Sequence, residues 1–310
     1  MDTTDIIELN HLTRDFKSVR AVDGLTLSLA SGELFGLVGP DGAGKTTTLR
    51  LLAGLLDITE GEATILGFDL KTKSEDIKPH VGYMAQQFSL YGELSVLENL
   101  QFFAELFDVS TKEQRERTDR LLSFAGLTDF KNRRAAHLSG GMQKKLALAC
   151  TLIHEPEILL LDEPTTGVDP VSRREFWNIL TELHLGGTTI IVSTPYMDEA
   201  DRCSRVGLMY AGKLVECDTP LNIRKKVEGE MIELQAEDWQ KALETVAGLS
   251  GVHEAQTYGE SIHFLVDSGK RRLPEIKRVL KRSKIDYRNI RIAPTRMEEA
   301  FISLIRKMEA

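Results

Sequence analysis

Short, continuous apolar runs mark the first two thirds of the chain, and each is followed by turn-forming or charged residues. The clearest runs cover residues 34–38, 81–84, 158–161 and 189–193. Continuous runs of this length are typical of strands that are buried on both faces of a parallel sheet. A helical pattern over residues 173–183 separates the last two runs, which indicates a strand–helix–strand unit.

Between residues 95 and 126 the apolar positions change to a helical period. Ser95 and Glu98 have the spacing of a capping box, in which each side chain satisfies a free backbone N–H of the other residue. Residues 115–125 form a second amphipathic stretch, so the segment is predicted to be a helical insert between strands. The remaining patterns predict short strands within residues 6–29 around a turn at Arg20, a helix over 45–55, a strand over 62–66 and a hairpin over 206–216.

After residue 224 the order of elements changes. Charge supports a division here, because residues 1–220 hold 22 Lys and Arg against 33 Asp and Glu, whereas the rest hold 17 against 14. We therefore expect one domain over residues 1–224 and an accessory α+β domain over residues 225–310. The βαββαβ order with an added helix favours a ferredoxin-like fold for the second domain. Its predicted strands cover residues 231–235, 252–257, 261–266 and 289–292, and its predicted helices cover 238–247, 273–282 and 298–307.

The composition limits the class of protein. The 310 residues are 42% hydrophobic and 28% charged, as in a folded globular protein, and the net charge of −8 argues against a dedicated nucleic-acid binder. Three cysteines without a Cys-x-x-Cys pair indicate a reducing compartment. The longest aliphatic run, residues 158–161, is far shorter than the roughly 18 residues of a membrane span, and the acidic first residues are unlike a signal peptide. A role at a membrane would therefore need a partner that supplies the spanning part.

A phosphate-binding pattern follows the first apolar run. Residues 39–46 match G-x-x-x-x-G-K-[ST] between a predicted strand and a predicted helix. Glycines let backbone N–H groups approach phosphate oxygens, and a helix N-terminus adds a positive dipole. Lys45 is suited to neutralise nucleotide phosphates, and the Thr46 hydroxyl is suited to bind Mg²⁺. The predicted nucleotide-binding residues of this loop are Gly39, Pro40, Asp41, Gly42, Ala43, Gly44, Lys45, Thr46 and Thr47.

The apolar run at residues 158–161 ends in two carboxylates, Asp162 and Glu163. The first, at the strand tip, can hold Mg²⁺ through water, and the second can polarise an attacking water as a general base. Such a pair could also be an ordinary charged turn. Behind a phosphate-binding loop, it predicts Asp162 as a metal ligand and Glu163 as a catalytic residue.

A third motif narrows the class further. Residues 138–143 read Leu-Ser-Gly-Gly-Met-Gln directly before an amphipathic stretch. With the two earlier motifs, in this order, the sequence resembles the ABC ATPase family over residues 6–220. The resemblance implies an α/β P-loop NTPase with a RecA-like core, an antiparallel β subdomain and a helical subdomain over about residues 88–150. It also implies that Ser139, Gly140 and Gly141 bind ATP held by another subunit, because a helix start offers free N–H groups.

The same resemblance implies roles for three more residues. Gln86 falls at the family's Q-loop glutamine, which implies a catalytic role and a Mg²⁺ contact, with Gln87 as the less favoured alternative. Asp169 falls at the D-loop aspartate, which crosses the dimer interface. Phe16 falls at the adenine-stacking aromatic residue, with an ordinary core phenylalanine as the alternative.

One position departs from the family pattern. Where a switch histidine is implied, after the run at residues 189–193, the sequence has Pro195. Proline can neither donate a hydrogen bond to phosphate nor relay a proton. Either Glu163 suffices and hydrolysis proceeds, or ATP closes the dimer and is hardly cleaved. The intact Glu163, Gln86 and signature motif favour the first interpretation.

The order of the parts most resembles ATP-binding subunits of drug, polysaccharide or lipid exporters. This implies ATP and Mg²⁺ as cofactors, a separate transmembrane permease and a second ATPase subunit as partners, no nucleic acid, and a place on the cytoplasmic face of the cell membrane. A soluble ABC ATPase and a regulatory ATP-binding module are the alternatives. The basic stretch at residues 270–282 is interpreted as a solvated helix face rather than a contact with anionic lipid. The second domain is assigned a regulatory or dimer-stabilising role.

Overall fold

The computed structural model describes residues 5–87 and 90–309, and its contacts divide the chain into two units. The first unit ends at Pro220 and the second begins at Leu221. The boundary expected after residue 224 falls within a short helix, Pro220–Lys225. The first two residues of the expected helical subdomain, 88 and 89, lie outside the described residues.

The first unit contains two β-sheets with helices between their strands. In chain order the strands are β1 (Asp5–Phe16), β2 (Val19–Ala30), β3 (Leu34–Val38), β4 (Glu60–Ile65), β5 (Phe68–Asp69), β6 (Val81–Met84), β7 (Ile158–Asp162), β8 (Thr189–Thr194), β9 (Arg205–Tyr210) and β10 (Lys213–Asp218). Its helices are α1 (Lys45–Leu52), α2 (Ser74–Ile77), α3 (Val96–Leu106), α4 (Thr111–Phe124), α5 (Gly140–Leu152), α6 (Pro170–Leu185) and α7 (Met197–Ala200). Helix α8 (Pro220–Lys225) begins at the last residue of the first unit and continues into the second.

The larger sheet has the strand order β10-β9-β3-β8-β7-β6, and all of its neighbouring strands are parallel except β9 and β10. Every residue of β3, β7 and β8 is buried, which confirms the strands that the continuous apolar runs predict. Because the strands are parallel, the loops that follow β3, β7 and β8 all leave the same edge of the sheet. The candidate functional residues lie at this edge.

The smaller sheet is antiparallel, with the order β2-β1-β4-β5. The predicted turn at Arg20 is wrong. The chain turns after Phe16, where Lys17 has a φ of 50°, and Arg20 lies within β2 opposite Asp15. The Arg20 guanidinium bonds the Asp15 carboxylate at 2.9 Å, so a charged cross-strand pair extends the hairpin past the point where the apolar pattern stops.

Helices α3, α4 and α5 follow one another between β6 and β7, where the helical pattern predicts an insert. The Ser95 hydroxyl accepts from the Glu98 N–H at 3.2 Å and Glu98 accepts from the Ser95 N–H at 2.7 Å, which confirms the capping box. Helix α4 begins at Thr111, earlier than predicted, because Ser110 caps it. A polar cap of this kind starts a helix before its first apolar residue.

The second unit contains one antiparallel sheet. Its order, β12-β13-β11-β14, is the ferredoxin-like arrangement that the βαββαβ pattern predicts. One sheet face packs with two helices around Phe264. The strands are β11 (Glu230–Ala236), β12 (Val252–Tyr258), β13 (Ser261–Val266) and β14 (Tyr287–Ala293), and the helices are α9 (Trp239–Ala247), α10 (Gly269–Arg282) and α11 (Met297–Glu309).

Helix α10 starts before the predicted residue 273 because polar contacts fix its first turn. The Gly269 N–H donates to the Glu230 carboxylate at 2.6 Å, and the Arg272 guanidinium donates to the Asp267 carboxylate at 2.7 Å. This turn contains no large apolar residue and therefore gives no hydrophobic signal. Among the described helices, none is long and apolar enough to cross a membrane.

A half-buried histidine, whose ring nitrogens are buried, predicts a pH dependence of stability. His154 follows α5 and stacks on Phe107 at a ring-centroid distance of 3.9 Å. Burial lowers the pKa of His154 to about 4, from an ordinary value of 6.5. Between these two values the unfolded chain binds a proton that the folded chain excludes. The free energy of unfolding should therefore fall as the pH drops from 6.5 toward 4.

We expect the urea midpoint of the full chain to fall between about pH 7 and about pH 5, and to fall less in His154→Phe, which keeps a stacked ring. His253→Gln changes an exposed histidine and serves as the control, with a fall like that of the wild type. Equal falls in all three proteins would contradict the role given to His154.

Candidate functional site

The phosphate-binding pattern forms the loop between β3 and α1, and two of its glycines are needed for close backbone contacts. A Cβ atom on Gly39 would lie 2.2 Å from the Met209 carbonyl oxygen, and one on Gly44 would lie 2.4 Å from the Ala21 carbonyl oxygen. Gly44 also has a φ of 102°, a conformation that side chains disfavour. The loop can therefore stay narrow and direct its N–H groups, together with the start of α1, at an anion.

Lys45 is buried in this loop, with 3% of its surface exposed. Its ammonium donates to the carbonyl oxygens of Gly39 at 2.8 Å and Pro40 at 2.9 Å. The same ammonium lies 3.6 Å from Glu163 Oε1. A buried charge needs partners of this kind, and here they hold the ammonium beside the loop N–H groups.

Thr46, Asp162 and Ser193 form a polar cluster next to the loop. The hydroxyls of Thr46 and Ser193 donate to Asp162 Oδ1 at 3.0 and 2.6 Å. Asp162 is fully buried, and its Oδ2 accepts no hydrogen bond from residues 5–87 or 90–309. A free carboxylate oxygen beside a hydroxyl offers the ligands that Mg²⁺ prefers, so these residues fit the predicted metal site.

Glu163 has a backbone conformation that few non-glycine residues adopt. Its φ is 46°, and its N–H is held by both the carbonyl and the hydroxyl oxygen of Ser193, at 3.1 and 3.0 Å. The side chain is buried, and Oε2 accepts from Gln86 Nε2 at 2.8 Å and from the Thr166 hydroxyl at 3.2 Å. The strained backbone thus aims this carboxylate at Lys45 and Gln86.

Most of these side chains open onto one cleft of about 1000 Å³, at the upper end of the range for ligand sites, whereas the buried Asp162 and Ser193 do not line it. Residues 41–47 of the loop line it, and so do Gln86, Glu163, Pro195 and Tyr196. Gln86, and not Gln87, lines this cleft and contacts Glu163. The structure therefore brings together the loop, both carboxylates and the preferred glutamine.

The signature residues 139–141 do not line that cleft. Ser139 caps α5 by accepting from the Met142 N–H at 3.3 Å, and Gly140 lines a separate cavity of about 290 Å³. A Cβ atom on Gly141 would lie 2.5 Å from the Ser172 hydroxyl oxygen, so glycine is needed where α5 approaches α6. The signature motif is thus separate from the loop of its own chain.

Comparison with known proteins agrees with this geometry. Residues 22–166 match the family described as ABC transporter. The chain is 33% identical to the daunorubicin resistance ATP-binding protein DrrA2 of Streptomyces coeruleorubidus, over 92% of this chain and 90% of that protein. The chain belongs to the ABC transporter family. It is also 45% identical to the probable multidrug ABC transporter ATP-binding protein YbhF of Escherichia coli, over 71% of this chain but only 38% of the length of that relative.

Solved ABC structures share the fold. The dimeric structure of a post-hydrolysis state of the ATP-binding cassette MJ0796, bound to ADP and Pi, has a TM-score of 0.63 at 28% identity, over 69% of this chain and 98% of that one. The structure of cbiO1 from Clostridium perfringens has a TM-score of 0.66 at 26% identity, over 72% of this chain and 91% of that one. The predicted ATPase cassette fold is confirmed.

Phe16 and Asp169, like Gly39, Pro40 and Asp162, have predicted roles but do not line the P-loop cleft of this ABC protein. Phe16 ends β1 opposite Val19, which lines the cleft, and 40% of its surface is exposed, so it is not a core phenylalanine. The Arg14 guanidinium lies 4.7 Å from the centre of the Phe16 ring. Asp169 is exposed and caps α6, and hydrogen bonds from Ser172 lower the pKa of its carboxyl. Adenine stacking by Phe16 and a dimer contact by Asp169 stay predictions.

Sequence analysis missed the buried carboxylate of Glu199, which lies in α7 beyond Pro195. Its donors come from the end of β8, from α6 and from the loop after Glu163, so it joins the segments around the cleft. The Glu-Ala pair in the sequence gives no indication of these distant partners. The donors are the hydroxyls of Thr194 at 2.6 Å and Thr165 at 2.7 Å, Arg173 Nε at 2.6 Å and Trp177 Nε1 at 2.9 Å.

We expect Glu199→Gln to lower the free energy of unfolding by about 3 kcal/mol, because an amide oxygen cannot accept from three buried donors and the partly buried Arg173 at once. Asp198→Asn is the matched control, since Asp198 bonds Arg173 from an exposed position and its loss should cost less than ~1 kcal/mol. Urea unfolding of the full chain measures both values. Similar losses in the two variants would refute the special role of Glu199.

Proposed function

We propose that this chain is the ATP-binding and ATP-hydrolysing subunit of an ABC exporter, working with a separate membrane permease. The observation that carries the proposal is the convergence of Lys45, the Thr46–Asp162 pair and the Gln86–Glu163 pair at one cleft. These groups supply a phosphate-binding cation, oxygen ligands for a metal and a general base, which are the parts that phosphoryl transfer to water requires.

ATP would lie with its phosphates against the loop N–H groups and Lys45. Thr46 and Asp162 would hold Mg²⁺, with Gln86 beside them, and the ion would neutralise charge on the phosphates. Glu163 would orient the attacking water and accept its proton. The hydrogen bonds from Gln86 and Thr166 keep the Glu163 carboxylate in place for that step.

The absence of the signature residues from the cleft lining supports a composite site. We infer that two copies, or one copy and a related subunit, pair head to tail, so that residues 139–141 of one subunit complete the nucleotide site of the other. The dimeric cassette structures of family members are consistent with this arrangement. Closure around ATP would then move the permease that the two subunits hold.

The names of relatives favour export. Daunorubicin resistance, Nod factor export and multidrug ABC transporter ATP-binding proteins all resemble this chain, and two of these kinds align over most of their own length. We therefore assign the chain to the cytoplasmic face of a membrane, next to an export permease. A soluble ABC ATPase is the less favoured alternative, and a pull-down that recovers ribosomes or DNA instead of a membrane protein would support it.

We expect steady-state phosphate release from ATP by the full chain with Mg²⁺. Glu163→Gln should lower kcat by about 10²–10⁴-fold through loss of the base, while binding of a fluorescent ATP analogue persists. Pro195→His should raise kcat, because it restores a donor and proton carrier at the cleft. If the wild type released no phosphate even with its permease present, ATP hydrolysis would be excluded. The chain would then be an ATP-driven dimer switch.

If the nucleotide site is composite, mixing two inactive variants should restore ATPase activity. Lys45→Met and Ser139→Phe should each abolish turnover alone, because each damages both sites of a symmetric dimer. An equimolar mixture should recover part of the activity, since the mixed dimer contains one site with an intact Lys45 and an intact Ser139. If each site were built within one chain, the mixture would stay inactive.

A further inference from the structure

Lys144, in the second turn of α5, links the signature helix to the Q-loop. Its ammonium donates to the Gln86 carbonyl oxygen at 2.8 Å. Lys144 lies four residues after Gly140, on the same face of α5, and both line the cavity of about 290 Å³. This contact joins the helix that starts with the signature residues to the segment that carries the catalytic glutamine.

The link continues through side chains to the phosphate-binding lysine. Gln86 has one partner on each side. Its backbone carbonyl accepts from Lys144, and its side-chain amide donates to Glu163 Oε2 at 2.8 Å. The other oxygen of Glu163 lies 3.6 Å from the Lys45 ammonium. Gln86 also lines both cavities, so it stands between the signature side and the P-loop side of the unit.

Two opposing effects act on the charge of Lys144. Partial burial lowers the pKa of Lys144, while the carboxylates of Asp162 and Glu163 act in the opposite direction. Its neighbour Lys145 instead bonds Glu175 on α6 at 2.5 Å, and among the described residues it donates no hydrogen bond to Gln86 or Gln87.

We propose that Lys144 is a positioning residue that couples the two nucleotide sites of the dimer. This proposal rests on the proposed function, in which the signature residues at the start of α5 contact the ATP of the partner subunit. Gln86 and Glu163 then act on the ATP of their own chain. Lys144 transmits a shift of α5 to Gln86, so that engagement of the partner's ATP aligns the catalytic carboxylate. The coupling depends on a donor that is long enough to reach the Gln86 carbonyl.

The test compares Lys144→Met, Lys144→Arg and the control Lys145→Met in the full chain. Lys144→Met should lower kcat at least ~10-fold and bring the Hill coefficient for ATP toward 1, with little change in affinity for a fluorescent ATP analogue. Lys144→Arg should recover most of both values, and Lys145→Met should behave as the wild type. If Lys144 had a merely structural role, Lys144→Met would lower the melting temperature. The coupling role instead predicts a lower Hill coefficient at an unchanged melting temperature.

A double-mutant cycle identifies the route. If Lys144 acts through Gln86, then Lys144→Met should change kcat less than ~2-fold in a Gln86→Ala background. Additive effects would overturn the proposal, and so would a wild-type rate and Hill coefficient in Lys144→Met.

The proposed hydrolysis can fail separately. If the wild type binds ATP but does not release phosphate, the ATP dependence of dimerisation, followed by light scattering, replaces kcat as the readout. The absence of phosphate release then refutes hydrolysis by itself. Cooperative dimerisation that is lost in Lys144→Met but kept in Lys145→Met supports the coupling, whereas unchanged cooperativity in Lys144→Met refutes it. A wild type that neither binds ATP nor dimerises refutes both.

Discussion

Two adjacent buried carboxylates at the end of β7 set the main constraint on the first unit. Neither Asp162 nor Glu163 can remain charged in the interior without donors and a nearby cation. The hydroxyls of Thr46 and Ser193 satisfy one oxygen of the first carboxylate, and Lys45 lies within reach of the second. Ser193 lies near the end of β8, whereas Lys45 and Thr46 follow β3, so the partners come from different strands of the larger sheet. Holding the carboxylates therefore requires the whole edge of that sheet to be in place.

Backbone conformations that most residues disfavour also occur at this edge of the larger sheet. Glu163 has a positive φ, and Gly39 and Gly44 leave no room for a Cβ atom. The sheet compensates because β3, β7 and β8 are buried along their whole length, which makes their ends rigid. A site that must hold a phosphate, a metal ion and a water in fixed positions benefits from such rigidity.

Glu199 and Lys144 extend this organisation beyond the motifs. Glu199 joins the end of β8 to α6 and to the loop after Glu163, next to the position where proline replaces the implied switch histidine. Lys144 joins α5 to the Q-loop. Glu199 is buried and Lys144 is half-buried, and removal from water strengthens a hydrogen bond and makes an unpaired charge costly. The segments that surround the cleft are thereby held together by polar contacts.

Local sequence patterns were enough to predict the elements whose signal comes from neighbouring residues. The buried strands, the capping box at Ser95, the phosphate-binding loop and the βαββαβ order of the second unit each depend on residues close together in the chain. Local patterns misplaced the hairpin turn near Arg20 and the starts of α4 and α10, because charged and capping contacts decide those points.

The contacts between residues that are distant in the chain depend on the packed fold. Lys144 and Gln86 are 58 residues apart, and Glu199 and Thr165 are 34 apart, so no periodicity or spacing connects them. The tertiary structure also separated the signature residues from the chain's own cleft and brought Gln86 rather than Gln87 to Glu163. The physical reason is that motifs specify local backbone geometry, whereas the pairing of buried charges depends on which chain segments the packed sheet and helices bring together.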